Sequence, residues 1–402
     1  LALFKISVGS KTTLRREFER RDAQLSMTTK ATSTSDNAAA YDMLRELADD
    51  FWAWRATNHP VSYDDIPRME RPAGWVSNWS PAAIERRRRE LDAFSRRHQK
   101  IESREWPLSH QVDYRLIGSA LARVNWELNI TRGQECNPGF YVDQTLGVLF
   151  LLLLKPPPFL EARSRGIVSA LRSFNETVAQ AQTNLAGNAI KPFAIAALEK
   201  LVDVRKRLTT VSNELAPLLS GVTVTELHEA TDEAAAALER LHDWLNTQLP
   251  SMTETTAVGR DAYVDFLHQV ALMPYTPEQL LLMGKHEWER SVAFEVCEQT
   301  RNHGLPELKL FPDQVAQIER EAAEEENARK FLEAKNILTV PDWVKHYRNL
   351  PLPGYVQQLS FMGVADDLTS ATRLDEDGIS YIKKPSPDLD YFPCPLPKIR
   401  AR

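Results

Sequence analysis

Apolar and aromatic residues recur at helical spacing from Ala38 to Thr57, at Tyr41, Leu44, Leu47, Ala48, Phe51, Trp52 and Trp54, with Asp36 placed to cap the N-terminus. Ser80-Pro81 opens a second helix, because serine suits the cap and proline the first helical position. Ile84, Leu91, Phe94 and Ile101 would line its inner face. A third helix is expected from Ser109 to Arg132, and Asn137-Pro-Gly-Phe-Tyr-Val reads as a loop. The apolar run Leu146 to Leu154 ends at Pro156-Pro157-Pro158. Long periodic stretches over 159–186, 191–217 and 222–249 suggest antiparallel helical neighbours. Thr276-Pro277-Glu278 starts another helix, with Leu280, Leu281, Met283, Trp288 and Phe294 expected inside. The charged stretch Gln314 to Lys335 is expected to turn Glu324, Glu325 and Glu326 to water. The fold class is therefore mainly α: one large multi-helix domain with a small extended portion near the C-terminus.

Composition adds constraints. Hydrophobic residues make up 43% and charged residues 26%, a globular balance. Prolines (24) outnumber glycines (15), which favours helices broken at proline joints. The net charge of −6 argues against a nucleic-acid partner. Within the second helix the run Arg86-Arg87-Arg88-Arg89, flanked by Glu85 and Glu90, reads as a solvated face. Three scattered cysteines (Cys136, Cys297, Cys394) form neither a disulfide framework nor a zinc site, and fit a reducing, cytoplasmic compartment. The longest apolar run falls short of the about 20 residues a bilayer helix needs, so no membrane partner is expected.

The two ends differ from the middle. Residues 1–37 read as a disordered or untranslated leader, with Met27 as the expected natural start. Residues 38–391 form the helical domain. Residues 392–402 alternate proline at Pro393, Pro395 and Pro397, which permits neither helix nor ladder.

The search for chemistry finds no catalytic residue. A helical metallohydrolase needs His-Glu-x-x-His, which sets two imidazoles on one face with a glutamate base between them. His286-Glu287-Trp288-Glu289-Arg290 has arginine at the second position, which offers no lone pair. His228-Glu229-Ala230-Thr231-Asp232 ends in a carboxylate that could ligate zinc, but so loose a match arises readily by chance. The other histidines are separated singletons, and no nucleophile elbow, phosphate loop or dinucleotide fingerprint occurs. No metal ligand set and no cofactor are expected in this chain.

The segments Gly259-Arg-Asp-Ala-Tyr, Tyr275-Thr-Pro-Glu-Gln-Leu-Leu-Leu-Met-Gly, Ile337-Leu-Thr-Val-Pro-Asp-Trp and Ile379-Ser-Tyr-Ile-Lys-Lys-Pro-Ser-Pro-Asp resemble domain-of-unknown-function family 885. Phe140-Tyr-Val-Asp-Gln-Thr-Leu-Gly, with the triple proline after it, adds to the likeness, which runs from about Ala38 to Tyr391. The resemblance implies a helical fold related to zinc-dependent peptidases. It also implies zinc and a peptide-like substrate in a complete member, through a His-Glu-x-x-Pro-Gly-His motif following the segment that matches 379–391. That motif is absent here, so no metal ligand or base carries over. The match stops near Tyr391-Phe392, as it would at an unspliced intron or a frameshift. Tyr381 and Lys383 lie nearest to where the family's cleft would be and are the substrate-contact candidates. Two functions stay open: an incomplete, inactive zinc amide hydrolase with exposed apolar surface, or a non-catalytic helical interaction or scaffold protein. Oligomeric state is left open.

Overall fold

A computed structural model describes residues 34–62, 70–72, 74–305, 311–341, 343–368, 370 and 372–383. Met27, residues 1–33 of the expected leader and the proline-rich tail lie outside the described residues, whereas residues 34–37 of that leader are helical.

Helix α1 (Thr34–Asn58) starts before Asp36, so that residue lies within the helix rather than ahead of it. Helix α2 (Pro81–Gln99) begins as expected, with the Ser80 hydroxyl accepting from Ala83 N at 3.3 Å. Helix α3 (Leu108–Asn125) passes directly into a π-helical segment, Trp126–Thr131, where the sequence suggests one continuous helix. The segment expected as a loop is instead helical: α4 (Gly133–Cys136) is followed by α5 (Pro138–Val142). Asn137 makes this possible, since its side chain accepts from Gly139 N at 2.9 Å and Pro138 needs no donor at the first position. A second π segment, Asp143–Gly147, leads into α6 (Val148–Leu154), whose Leu149, Phe150, Leu153 and Leu154 are buried.

Two helices and a broken third form the central core. In α7 (Glu161–Leu185), Ile167, Leu171, Phe174, Val178, Ala181 and Leu185 recur at 3–4 residue steps and are buried. The stretch expected as one helix over 191–217 breaks into α8 (Lys191–Leu201) and α9 (Val204–Leu215), because Asp203 adopts φ 53° between them. Helix α10 (Val224–Gln248) presents Ala230, Ala234, Ala237, Leu238 and Leu241 inward. Its small alanines let the backbones of α7 and α9 come close, and leucines fill what remains.

The chain then changes character. A short α11 (Arg260–Asp265) runs into a third π segment, Phe266–Val270. Helix α12 (Pro277–Asn302) has the expected start, as a full capping box between Thr276 and Gln279. Its interior does not follow expectation: no residue of α12 is buried, with Leu281 77% and Trp288 72% exposed and Met283 and Phe294 open as well. The physical reason is that no described element packs closely along it, and its apolar residues are spread around the helix rather than on one stripe. Helix α13 (Gln314–Ala334) is charged and lies against β1 (Tyr347–Pro351). Glu324 and Glu326 face water, whereas Glu325 is half-buried between Arg329 and His346.

After a one-turn α14 (Gly354–Gln357) come β2 (Asp366–Asp367) and β3 (Gly378–Ile382). The sheet order is β1-β3-β2, with β1 parallel to β3 (Tyr347 opposite Gly378) and β2 antiparallel to it (Asp367 opposite Ile379). This is the small extended portion anticipated near the C-terminus. Among the described residues no single helix is long and apolar enough to cross a membrane. One bent pair, Leu108–Cys136 with Pro138–Leu154 at 87°, passes on length and composition alone.

Candidate functional site

A cleft of about 510 Å³ opens where the end of α1, the start of α2 and the end of α3 meet. That volume lies within the usual range of small-molecule sites. All three π-helical segments reach it: Trp126, Glu127, Leu128 and Thr131 from the first, Asp143 from the second and Phe266 from the third. A π turn inserts a residue and re-aims the side chains around it, which is why such turns concentrate at functional sites.

Two long-range amide clamps hold the floor and one wall. Gln144, buried, accepts from Val61 N at 2.9 Å and donates to Val61 O at 3.0 Å, a side-chain imitation of a strand pair that pins the chain leaving α1. On the other side Gln180 accepts from Trp79 N at 2.7 Å, and Asn184 donates to Trp79 O at 2.6 Å. Trp79, 2% exposed, is thereby fixed by α7, and Phe140 meets its ring edge-on at 4.7 Å. Trp126 and Phe266 form a second aromatic pair, 4.9 Å apart.

The charges of the cleft are unequal in their pairing. Arg55, buried, donates from Nη2 to both carboxylate oxygens of Glu127 at 2.9 and 2.7 Å, and Arg123 approaches the same carboxylate at 4.0 Å. Asp143 faces Lys200 at 3.6 Å. Arg87 differs, and it corrects the expectation that the arginine run is a solvated face. Arg86 and Arg89 are exposed, but Arg87 is only 4% exposed and Arg88 reaches in to Glu135 and the Leu128 carbonyl. The Arg87 guanidinium lies 4.1 Å over the Trp79 ring, donates from Nε to Asn58 Oδ1 at 3.1 Å and from Nη1 to Asn78 O at 2.7 Å. Among the described residues no carboxylate pairs with it. Burial pushes its pKa down to about 10, with Arg86 adding to the effect and Glu90 opposing it.

His59, at the end of α1, is buried beside the cleft. Burial, with Arg55 and Arg71 nearby, holds its pKa down at about 2, so its imidazole is neutral through the physiological range.

The family model for bacterial proteins of unknown function, DUF885, matches residues 67–336. The chain belongs to this family. The DUF885 match includes much of the cleft: Trp79, Arg87, Trp126, Glu127 and Phe266 all fall inside it. No curated protein matches the chain. A solved structure of a candidate lipoprotein of unknown function from Shewanella oneidensis shares the fold, with a TM-score of 0.52 at 13% identity. The alignment covers 85% of this chain and 64% of that one, so this DUF885 chain spans less than two thirds of its structural relative.

The residues anticipated from the sequence lie elsewhere. Tyr381 is buried on β3, where its hydroxyl donates to Leu154 O at 2.9 Å, and burial raises its pKa. Lys383 follows β3 and is exposed. Neither lines the cleft. His228 is exposed on α10 and Asp232 faces Arg205 at 3.5 Å, while Glu287 is taken up by Arg290.

For zinc, the described residues offer one close set of donors, Glu325, Glu326 and His346. This set does not fit a catalytic ion. Glu325 is already held by Arg329, whose cationic guanidinium repels a metal, and the group sits on the open face of α13. The sequence reading missed the cleft, although Ile84, Arg87 and Leu91 share one helical stripe, which placed Arg87 on the inner face.

Proposed function

We propose that the described part of this DUF885 chain is a helical ligand-binding domain, that its site is the cleft walled by Trp79, Trp126 and Phe266, and that it performs no zinc-dependent hydrolysis by itself. The observation that best supports this is the convergence of three π-helical segments on one cleft, each departing from regular helix to aim side chains into it. The carboxylates there, Glu127 and Asp143, are engaged by cations, so neither is placed as a base for an attacking water. A peptide-like ligand, the substrate class implied by the resemblance to zinc peptidases, suits aromatic walls with amide groups between them.

The test uses 2-naphthol, a neutral aromatic probe, observed by saturation-transfer NMR, together with elemental analysis. Binding is expected, with no stoichiometric zinc in the purified protein. Phe266→Ala at the half-buried rim should weaken binding about fivefold, the worth of one aromatic contact. Probe binding unaffected by that change, or a full equivalent of zinc, would overturn the reading.

A second reading, a non-catalytic interaction protein, has one specific observation behind it: the apolar surface of α12, with Leu281, Trp288 and Phe294 all open. Apolar side chains this exposed favour association with further copies of the chain. Sedimentation velocity is expected to show concentration-dependent association that Leu281→Lys with Trp288→Lys reduces. A wild-type chain monomeric at every concentration would remove this support.

A further inference from the structure

Arginine at position 87 is a costly choice for structure alone. A buried guanidinium loses its hydration, and folded proteins ordinarily compensate with a carboxylate. The cleft contains that solution elsewhere, in Arg55 held by both oxygens of Glu127. Arg87 has instead a π face, one amide oxygen and one carbonyl, all neutral. These groups orient the guanidinium without neutralising it. Its Nη2 nitrogen, with two hydrogens, makes no hydrogen bond among the described residues, and the side chain lines the cleft. Asn58 and Trp79, which hold the group in place, line the same cleft.

We propose that Arg87 is the receptor for the carboxylate of a small organic anion whose flat apolar body lies against the aromatic walls of the cleft. The inference rests on the cleft being the binding site. A carboxylate is favoured over a phosphate because the planar donors of the guanidinium match a planar acceptor. Trp79 occupies one face of the guanidinium, so the anion approaches along the edge that carries Nη2. The Trp126–Phe266 pair supplies the apolar surface for the rest of the molecule.

Three probes of one shape separate the possibilities: 2-naphthoate, the neutral 2-naphthamide and 2-naphthyl phosphate, each titrated calorimetrically into the full chain. The carboxylate is expected to bind about tenfold or more tighter than the amide, as a charge-assisted bond to an unmatched cation requires. Asn58→Asp places a carboxylate on the Arg87 Nε with almost no change in shape. It should abolish the preference for naphthoate, so that naphthoate binds no tighter than naphthamide. Arg87→Met should do the same, and Asn58→Asp keeps the question answerable if that variant does not fold. Equal affinity for carboxylate and amide would overturn the anion receptor yet leave the cleft as a binding site. Tighter binding of the phosphate would overturn the carboxylate assignment. Binding of none of the three would overturn both the inference and the cleft reading beneath it.

Discussion

Trp79→Ala is expected to cost the folded protein about 3–5 kcal/mol, the range for removing a large buried aromatic side chain. The ring is 2% exposed, meets Phe140 edge-on and carries the Arg87 guanidinium on its face. Its loss opens a cavity and strips a buried cation of one of the few groups that stabilise it, so the cost should fall at the upper end. Trp79→Phe retains a ring for the guanidinium and removes an indole N–H that is buried without a partner among the described residues. It should cost far less, because the smaller cavity is offset by removal of an unsatisfied donor. Urea unfolding of the two variants checks this. Similar losses for both would mean that the site relaxes around any smaller side chain and that the stacking contributes little.

The second large effect concerns acid. In the unfolded chain His59 takes up a proton near pH 6.5, whereas in the folded protein it resists protonation down to about 2. Between those values the unfolded state binds the extra proton, so stability is fully present above pH 6.5 and falls as the pH drops below it. The slope approaches about 1.4 kcal/mol per pH unit below pH 6, which amounts to about 2 kcal/mol between pH 6.5 and 4.5. His98, whose pKa is also lowered by burial, acts in the same direction. Chemical denaturation at several pH values should show the decline, and His59→Gln should flatten it by the His59 share. An unchanged slope in that variant would place the acid sensitivity in other groups.

Much of the helical frame was legible because period and caps agreed. Ser80 and Thr276 cap the helices they were expected to cap, and the inward stripe of α7 follows its apolar spacing. The failures share a cause: tertiary contacts decided what local signals left ambiguous. Asn137-Pro-Gly carries turn residues, yet the same asparagine can cap a helix, and that is the choice the packed structure makes. The break at Asp203 rests on one left-handed residue that has no glycine to announce it. Leu281 and Trp288 looked internal because apolarity is a property of sequence, whereas burial needs a neighbour. The cleft was hidden for a related reason. Its walls come from positions as distant as Trp54 and Phe266, and the charge run around Arg87 drew attention to what arginine does on a surface.

The π-helical segments carry a consequence for how this chain can vary. Trp126–Thr131 and Phe266–Val270 end their helices, at Arg132 and Leu272 with φ 46° and 51°, whereas Asp143–Gly147 joins α5 to α6, and a residue removed from a helix turns everything beyond it by about 100°. Deleting a single position within Asp143–Gly147 would restore ordinary helix at the cost of turning α5, with the cleft residue Phe140, relative to α6. Loops elsewhere absorb insertions and deletions with little effect on what they connect. Around the cleft the reading frame of side-chain directions is instead set by the count of residues, and a change of one in length would blind the site while leaving the bundle standing.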